Sequence, residues 1–250
     1  MEAVAWRALP AAGPAAPPAA DLVEVWVADV DACPLDPATV DAMLDGGERA
    51  RADRFVRDAD RNRYRAAHAM LRSVLGRCLG CAPGAVGIVT GAHGKPALRD
   101  PGRCDVRFNL THAHALAACA VACGREVGID AEWTGRPIEA ERIAARFFAP
   151  AEQAALAATD PALRIRAFHA CWTRKEAYVK ARGVGLSLPL DGFAVSVDPG
   201  AGPCRLATGH EPAAAARWSL RGLDIAPGYE AAVAVEETGA PWTVALRRVA

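Results

Sequence analysis

Val23, Val25 and Val27 alternate with Glu24 and Trp26, the two-residue period of a strand, and predict one over Leu22–Val30. Between residues 48 and 80 the period lengthens. Tyr64, Ala67, Leu71, Val74 and Cys78 recur every three or four positions, the apolar stripe of one or two amphipathic helices. Strands are predicted at Val106–Leu110, Leu116–Ala122 and Glu126–Trp133, with a turn at Thr111–His114 and a break at Gly124. Helices follow over Glu139–Phe148 and Ala151–Ala158, with Pro150 suited to a helix start. A stronger helix spans Arg164–Arg182 and stops at Gly183. Phe193, Val195 and Val197 alternate as a strand, and Arg217–Leu223, Tyr229–Glu236 and Trp242–Arg248 predict three more.

The order strand, long helix, strands occurs twice. It predicts an α+β fold of two similar α/β halves, each a sheet with a long helix, dividing near Gly124. Residues 21–124 are then the first half and 125–250 the second, behind a disordered Ala/Pro arm at 1–20. At 250 residues, 52% hydrophobic and 23% charged, the chain can bury a large core, which excludes disorder throughout. Its 29 basic and 29 acidic residues cancel, which argues against a nucleic-acid binder. The strongly apolar run Ala115–Cys123 is far short of the roughly 20 residues that span a bilayer. Pro10, Pro14, Pro17 and Pro18 interrupt any export signal, so the expected location is the cytoplasm. The eight cysteines are then reduced, and the Cys78-x-x-Cys81 pair has no partner at zinc spacing. Nine arginines face four acids between 48 and 80, which reads either as a solvated helix face or as an anion site for a phosphorylated ligand.

Two segments carry candidate chemistry. On a strand over Val127–Glu132, Val127, Ile129 and Ala131 face one way and Asp130 and Glu132 the other, their Cα atoms about 6.5–7 Å apart. Such a pair is either a solvent-facing acidic patch or a site for a hard divalent cation such as Mg²⁺. On the helix Arg164–Arg182, Glu176 lies one turn from both Trp172 and Lys180, so a carboxylate and an ammonium stand beside an apolar wall. Alone, that is an ordinary helix ion pair.

Taken together, these motifs resemble the 4′-phosphopantetheinyl transferases of the long, surfactin-synthetase type. The matching stretches are Gly94-Lys95-Pro96, Phe108–His112, Val127–Glu132, Arg146-Phe147-Phe148, Trp172–Lys180, Gly183–Asp191 and Pro227-Gly228-Tyr229, in the family's order. The resemblance implies the transferase fold, two halves in pseudo-two-fold arrangement. It implies Mg²⁺-dependent transfer of the 4′-phosphopantetheine arm of coenzyme A to a serine of an apo acyl or peptidyl carrier protein, releasing adenosine 3′,5′-bisphosphate. By resemblance Asp130, Glu132 and Glu176 hold Mg²⁺, Glu176 and Lys180 are catalytic, and Arg51, Arg63, Lys95, Thr111, His112 and Lys175 bind coenzyme A. Phe147 and Phe148 are either core or a surface for the carrier. A chain of this length supplies both halves itself, so the expected state is a monomer with its site in the cleft between halves.

Two departures stand out. Glu48 occupies a position where some members carry lysine, and Thr111-His112-Ala113-His114 lacks the glycine of the family's Ser-His-Ser-Gly loop. Two other readings compete. One is a Mg²⁺-dependent nuclease or phosphodiesterase, although Glu132 is followed by Trp133-Thr134 and not by the spaced lysine of such enzymes. The other is a non-catalytic relative that only binds carrier proteins. His68, His93, His169 and His210 are assigned no role.

Overall fold

Alternation and helical periodicity become two sheet-and-helix units in the computed structural model, which describes residues 2–4, 6, 15–91, 93–102, 104–208 and 212–249. Pro10, Pro14 and His210 lie outside the described residues. One unit comprises Met1–Val89, Pro96–Gly124 and Pro241–Ala250; the other comprises Thr90–Lys95 and Arg125–Ala240.

The first unit is built on a five-stranded sheet ordered Glu2–Val4, Thr243–Val249, Leu22–Asp29, Leu116–Cys123, Val106–Ala113. Thr243–Val249 runs parallel to both of its neighbours, and the remaining pairs are antiparallel. The long helix Asp58–Leu79 sets Met70, Leu71, Val74 and Leu75 into one core with Trp26, Phe108 and Val121. Gly80, at φ 72°, closes that helix in the left-handed conformation that glycine adopts without strain.

Three expectations are corrected here. The arm at 1–20 is not wholly disordered: Glu2–Val4 pairs in the sheet, Trp6 is buried in the core, and the Ala16 amide donates to Arg77 O at 3.0 Å. The last strand belongs to the first unit, not to the half numbered 125–250. The strand from Val106 runs on to Ala113, so Thr111 and His112 are strand residues and the turn begins at His114. His114, where the family loop has glycine, takes φ 51°. Histidine is among the residues that tolerate this region, so the tight turn survives the missing glycine.

In the second unit a four-stranded antiparallel sheet is ordered Val127–Trp133, Tyr229–Glu236, Trp218–Leu223, Gly202–Cys204. The helix Arg164–Arg182 packs along Val127–Trp133 and Tyr229–Glu236, and Phe168, Tyr178, Phe193, Leu220 and Ala234 fill the core. Gly128 sets how close that helix comes. A Cβ there would stand 2.3 Å from both Ala177 O and Ala181 N, so only glycine permits this approach. All eight cysteines are free thiols.

Candidate active site

Gly128, Asp130 and Glu132 share the face of their strand that meets the helix, and the other face is equally covered, since Val127 and Ile129 are fully buried. The acidic pair is therefore largely withdrawn from solvent: Asp130 is only 5% exposed, and Glu132 is half-buried. From the helix, Lys180 Nζ donates to Asp130 Oδ1 at 2.6 Å and to Ile129 O at 3.3 Å. Glu176 stands one turn earlier on the same helix.

Burial and mutual repulsion raise the carboxyls. Glu132 is pushed up to about 7, first by burial, then by the charges of Asp130 and Glu176, with Lys180 and Arg136 opposing. Glu176 is raised by burial and by Asp130, and Lys180 again opposes. Glu132 thus senses the charges of Asp130 and Glu176, and Glu176 senses that of Asp130. Among the described residues, no three or more His, Cys, Asp or Glu side chains are gathered as a metal cluster. In donor chemistry alone Asp130, Glu132 and Glu176 suit a hard divalent cation, since all three offer carboxylate oxygen.

This electrostatics has a measurable consequence. The folded protein binds a proton at Glu132 more tightly than the unfolded chain does, because its value rises from 4.5 to about 7. That contribution to stability is fully present below pH 4.5 and is lost as the pH rises through about 7. Urea melts in chelator at pH 5 and pH 8 are expected to show the loss, and Glu132→Gln to flatten it. An unchanged pH slope in the variant would refute this assignment.

The other predicted residues are placed less uniformly. Lys175 is fully buried, and its Nζ bonds Glu152 Oε2 at 2.7 Å, Leu190 O at 2.6 Å and Phe193 O at 2.7 Å. Three acceptors use the three donors of an ammonium, so Lys175 faces the core and not the coenzyme A contact that the resemblance implies. Lys95 Nζ bonds Glu126 Oε2, Val127 O and Ala181 O. Arg51, Arg63, Thr111 and His112 belong to the first unit. Arg51 is exposed, its guanidinium 6.0 Å from the Tyr64 ring centre. Arg63 makes a two-point contact with Asp31 at 2.7 and 2.6 Å, which holds the Asp31 carboxyl below its usual range. Thr111 is buried and His112 exposed.

Glu48 has structural work in place of lysine's. It accepts from Arg72 Nε at 2.5 Å and lies 2.9 Å from His68 Nδ1, and it completes the capping box with Asp45. Phe148 is core, 1% exposed and stacked on Phe168, so it offers no surface to a partner. Phe147 is partly buried, edge-on to Trp172. Sequence reasoning missed the acids that engage the cations, Glu152 for Lys175, Glu126 for Lys95 and Asp31 for Arg63. Only Glu126 had a local signal, its place at the head of the Asp130 strand.

Comparison with known proteins gives the family. Residues 126–234, which include Asp130, Glu132, Glu176 and Lys180, match the model of the 4′-phosphopantetheinyl transferase superfamily. The 4′-phosphopantetheinyl transferase HetI of Nostoc sp. is 35% identical over 223 residues, 89% of this chain and 90% of HetI. The 4′-phosphopantetheinyl transferase Sfp of Bacillus subtilis is 33% identical over 187 residues, 74% of this chain and 79% of Sfp. The chain belongs to the 4′-phosphopantetheinyl transferase superfamily and is an enzyme of the Sfp type.

Proposed function

We propose that this enzyme transfers the 4′-phosphopantetheine arm of coenzyme A to a serine of an apo acyl or peptidyl carrier protein, with Mg²⁺, releasing adenosine 3′,5′-bisphosphate. The observation that carries the reading is the strand–helix junction where Lys180 bonds Asp130 and burial and charge raise Glu132 and Glu176. Asp130, Glu132 and Glu176 would hold the metal. When bound, it would screen the carboxylates from the pyrophosphate and polarise the reacting phosphate. Serine oxygen forms the new bond to phosphorus as the pyrophosphate P–O bond breaks. Glu176, or a water it orients, takes the serine proton. Lys180 offers positive charge to the leaving phosphate, and stabilisation of this kind dominates phosphoryl transfer. From the resemblance, Arg51, Arg63, Thr111 and His112 bind the nucleotide end and its phosphates.

Action as a monomer is part of the proposal, because a chain of 250 residues is long enough to supply both halves itself. No described helix is long and apolar enough to cross a membrane, and a cytoplasmic location is part of the proposal. The test is intact-mass analysis of several apo carriers after incubation with enzyme, coenzyme A and Mg²⁺. One added phosphopantetheine on a serine is expected. Cleavage of DNA or RNA without carrier modification would favour the phosphodiesterase, and carrier binding without transfer the non-catalytic relative.

A further inference from the structure

Lys95 sits at the end of a short turn, with the Gly91 amide donating to Lys95 O at 2.9 Å and Gly94 at φ 85°. Its side chain is mostly buried and reaches three acceptors: Glu126 Oε2 at 2.6 Å just before the strand, Val127 O at 3.1 Å in it, and Ala181 O at 2.8 Å in the helix. Val127 begins the strand that carries Asp130 and Glu132, and Ala181 lies in the last turn of the helix that carries Glu176 and Lys180. Carbonyls of a helix's last turn lack intrahelical donors, and a cation there also meets the negative end of the helix dipole. Gly183 keeps the space open, since a Cβ on it would lie 3.1 Å from Lys95 Cδ.

The geometry points to Lys95 as a positioning residue that fixes the catalytic helix against the carboxylate strand, in place of the coenzyme A contact the resemblance assigns to it. Two ties then join the same pair of elements on adjacent helix residues, Lys180 to Asp130 and Lys95 to Ala181. Removing the second lets the helix end drift from the strand. A displacement of about 1 Å at a reacting group can cost about 10²-fold in rate.

The kinetic arm of the test rests on the transferase reading above. In Lys95→Met, kcat is expected to fall by about 30- to 100-fold, with KM for coenzyme A little changed. Glu126→Gln is expected to lower kcat in the same direction, and the double variant to be no worse than the poorer single one. Calorimetry with adenosine 3′,5′-bisphosphate is expected to give the same Kd for wild type and Lys95→Met. A KM or bisphosphate Kd raised about tenfold with kcat intact would overturn the inference and make Lys95 a nucleotide ligand. Kinetics indistinguishable from wild type would overturn it as well. Amide hydrogen exchange supplies a readout that needs no activity. Protection along Val127–Trp133 and at Ala181 is expected to drop in Lys95→Met, and unchanged protection would overturn the inference. Wild-type protein inactive on every carrier would defeat the transferase reading and leave the exchange result to decide the role of Lys95. If Lys95→Met does not fold, Glu126→Gln and Lys95→Arg carry the same comparisons.

Discussion

Glu176→Gln is expected to reduce phosphopantetheine transfer by about 10²–10³-fold, the scale on which one preorganised electrostatic group is lost, and to leave the metal-free protein more stable than wild type at pH 8. The two effects have one cause. Burial and the Asp130 charge hold the Glu176 carboxyl above its ordinary range, so its ionised form is disfavoured in the fold. Its contribution to stability is present at low pH and is lost as the pH rises through its folded value. Glutamine keeps the shape and removes the charge, and it also removes one of the groups that push up Glu132. The variant should therefore bind Mg²⁺ more weakly and depend less on pH for its stability. Activity at pH 8 and urea midpoints in chelator across pH 5 to 8 read both effects. Full activity in the variant would take Glu176 out of the mechanism. A variant less stable than wild type at pH 8 would show that its carboxylate is better compensated than the Lys180 contact with Asp130 suggests. Strain of this kind is expected where function requires like charges to meet.

How far the sequence foretold this site depended on where each interaction is encoded. The helix Arg164–Arg182 and the strand Tyr229–Glu236 appear with their predicted bounds, because periodicity and a stopping glycine are local signals. That the Asp130 strand and the Lys180 helix meet was reachable only through the combination of two motifs, and the ion pair between those residues, 50 positions apart, was not foreseen. Parallel pairing of Thr243–Val249 with Leu22–Asp29 leaves no local trace, and neither does a three-residue strand at Glu2–Val4. The same limit hid the partners of Arg63 and Lys175. For Lys175 a clue was present. It follows Phe168 and Cys171 at the spacing of a packing stripe, which turns it into the core, whereas Lys180 is one turn beyond Glu176. Two lysines five residues apart on a helix lie on different faces. Only one of them could serve the carboxylates.

That placement makes Lys175 a stability residue, and Lys175→Met is expected to destabilise the fold by about 3–5 kcal/mol, the cost of leaving a buried partner charge uncompensated. Lys175 and Glu152 are almost wholly out of solvent, and Nζ lies 2.7 Å from Oε2 and 4.3 Å from the Phe193 ring centre. Burial lowers the Lys175 ammonium from its ordinary value, with Glu152 opposing the shift. Glu152 also accepts from the Ala149 and Val195 amides at 2.7 Å each, so it ties the helix Pro150–Ala158 to the strand Phe193–Val195. Methionine fills the cavity but leaves that carboxylate in a low-dielectric core with two amide donors and no counter-charge from Lys175. The expected loss is about a third of the total stability of an ordinary domain. Adding Glu152→Gln should recover part of it, because the orphaned charge goes, although one of the two amide contacts goes with it. Urea denaturation of the two single variants and the double variant gives the coupling. Transfer kinetics separate this role from that of a coenzyme A ligand: folded Lys175→Met should keep its KM for coenzyme A. A raised KM with unchanged stability would place the ammonium at the substrate and contradict the buried ion pair.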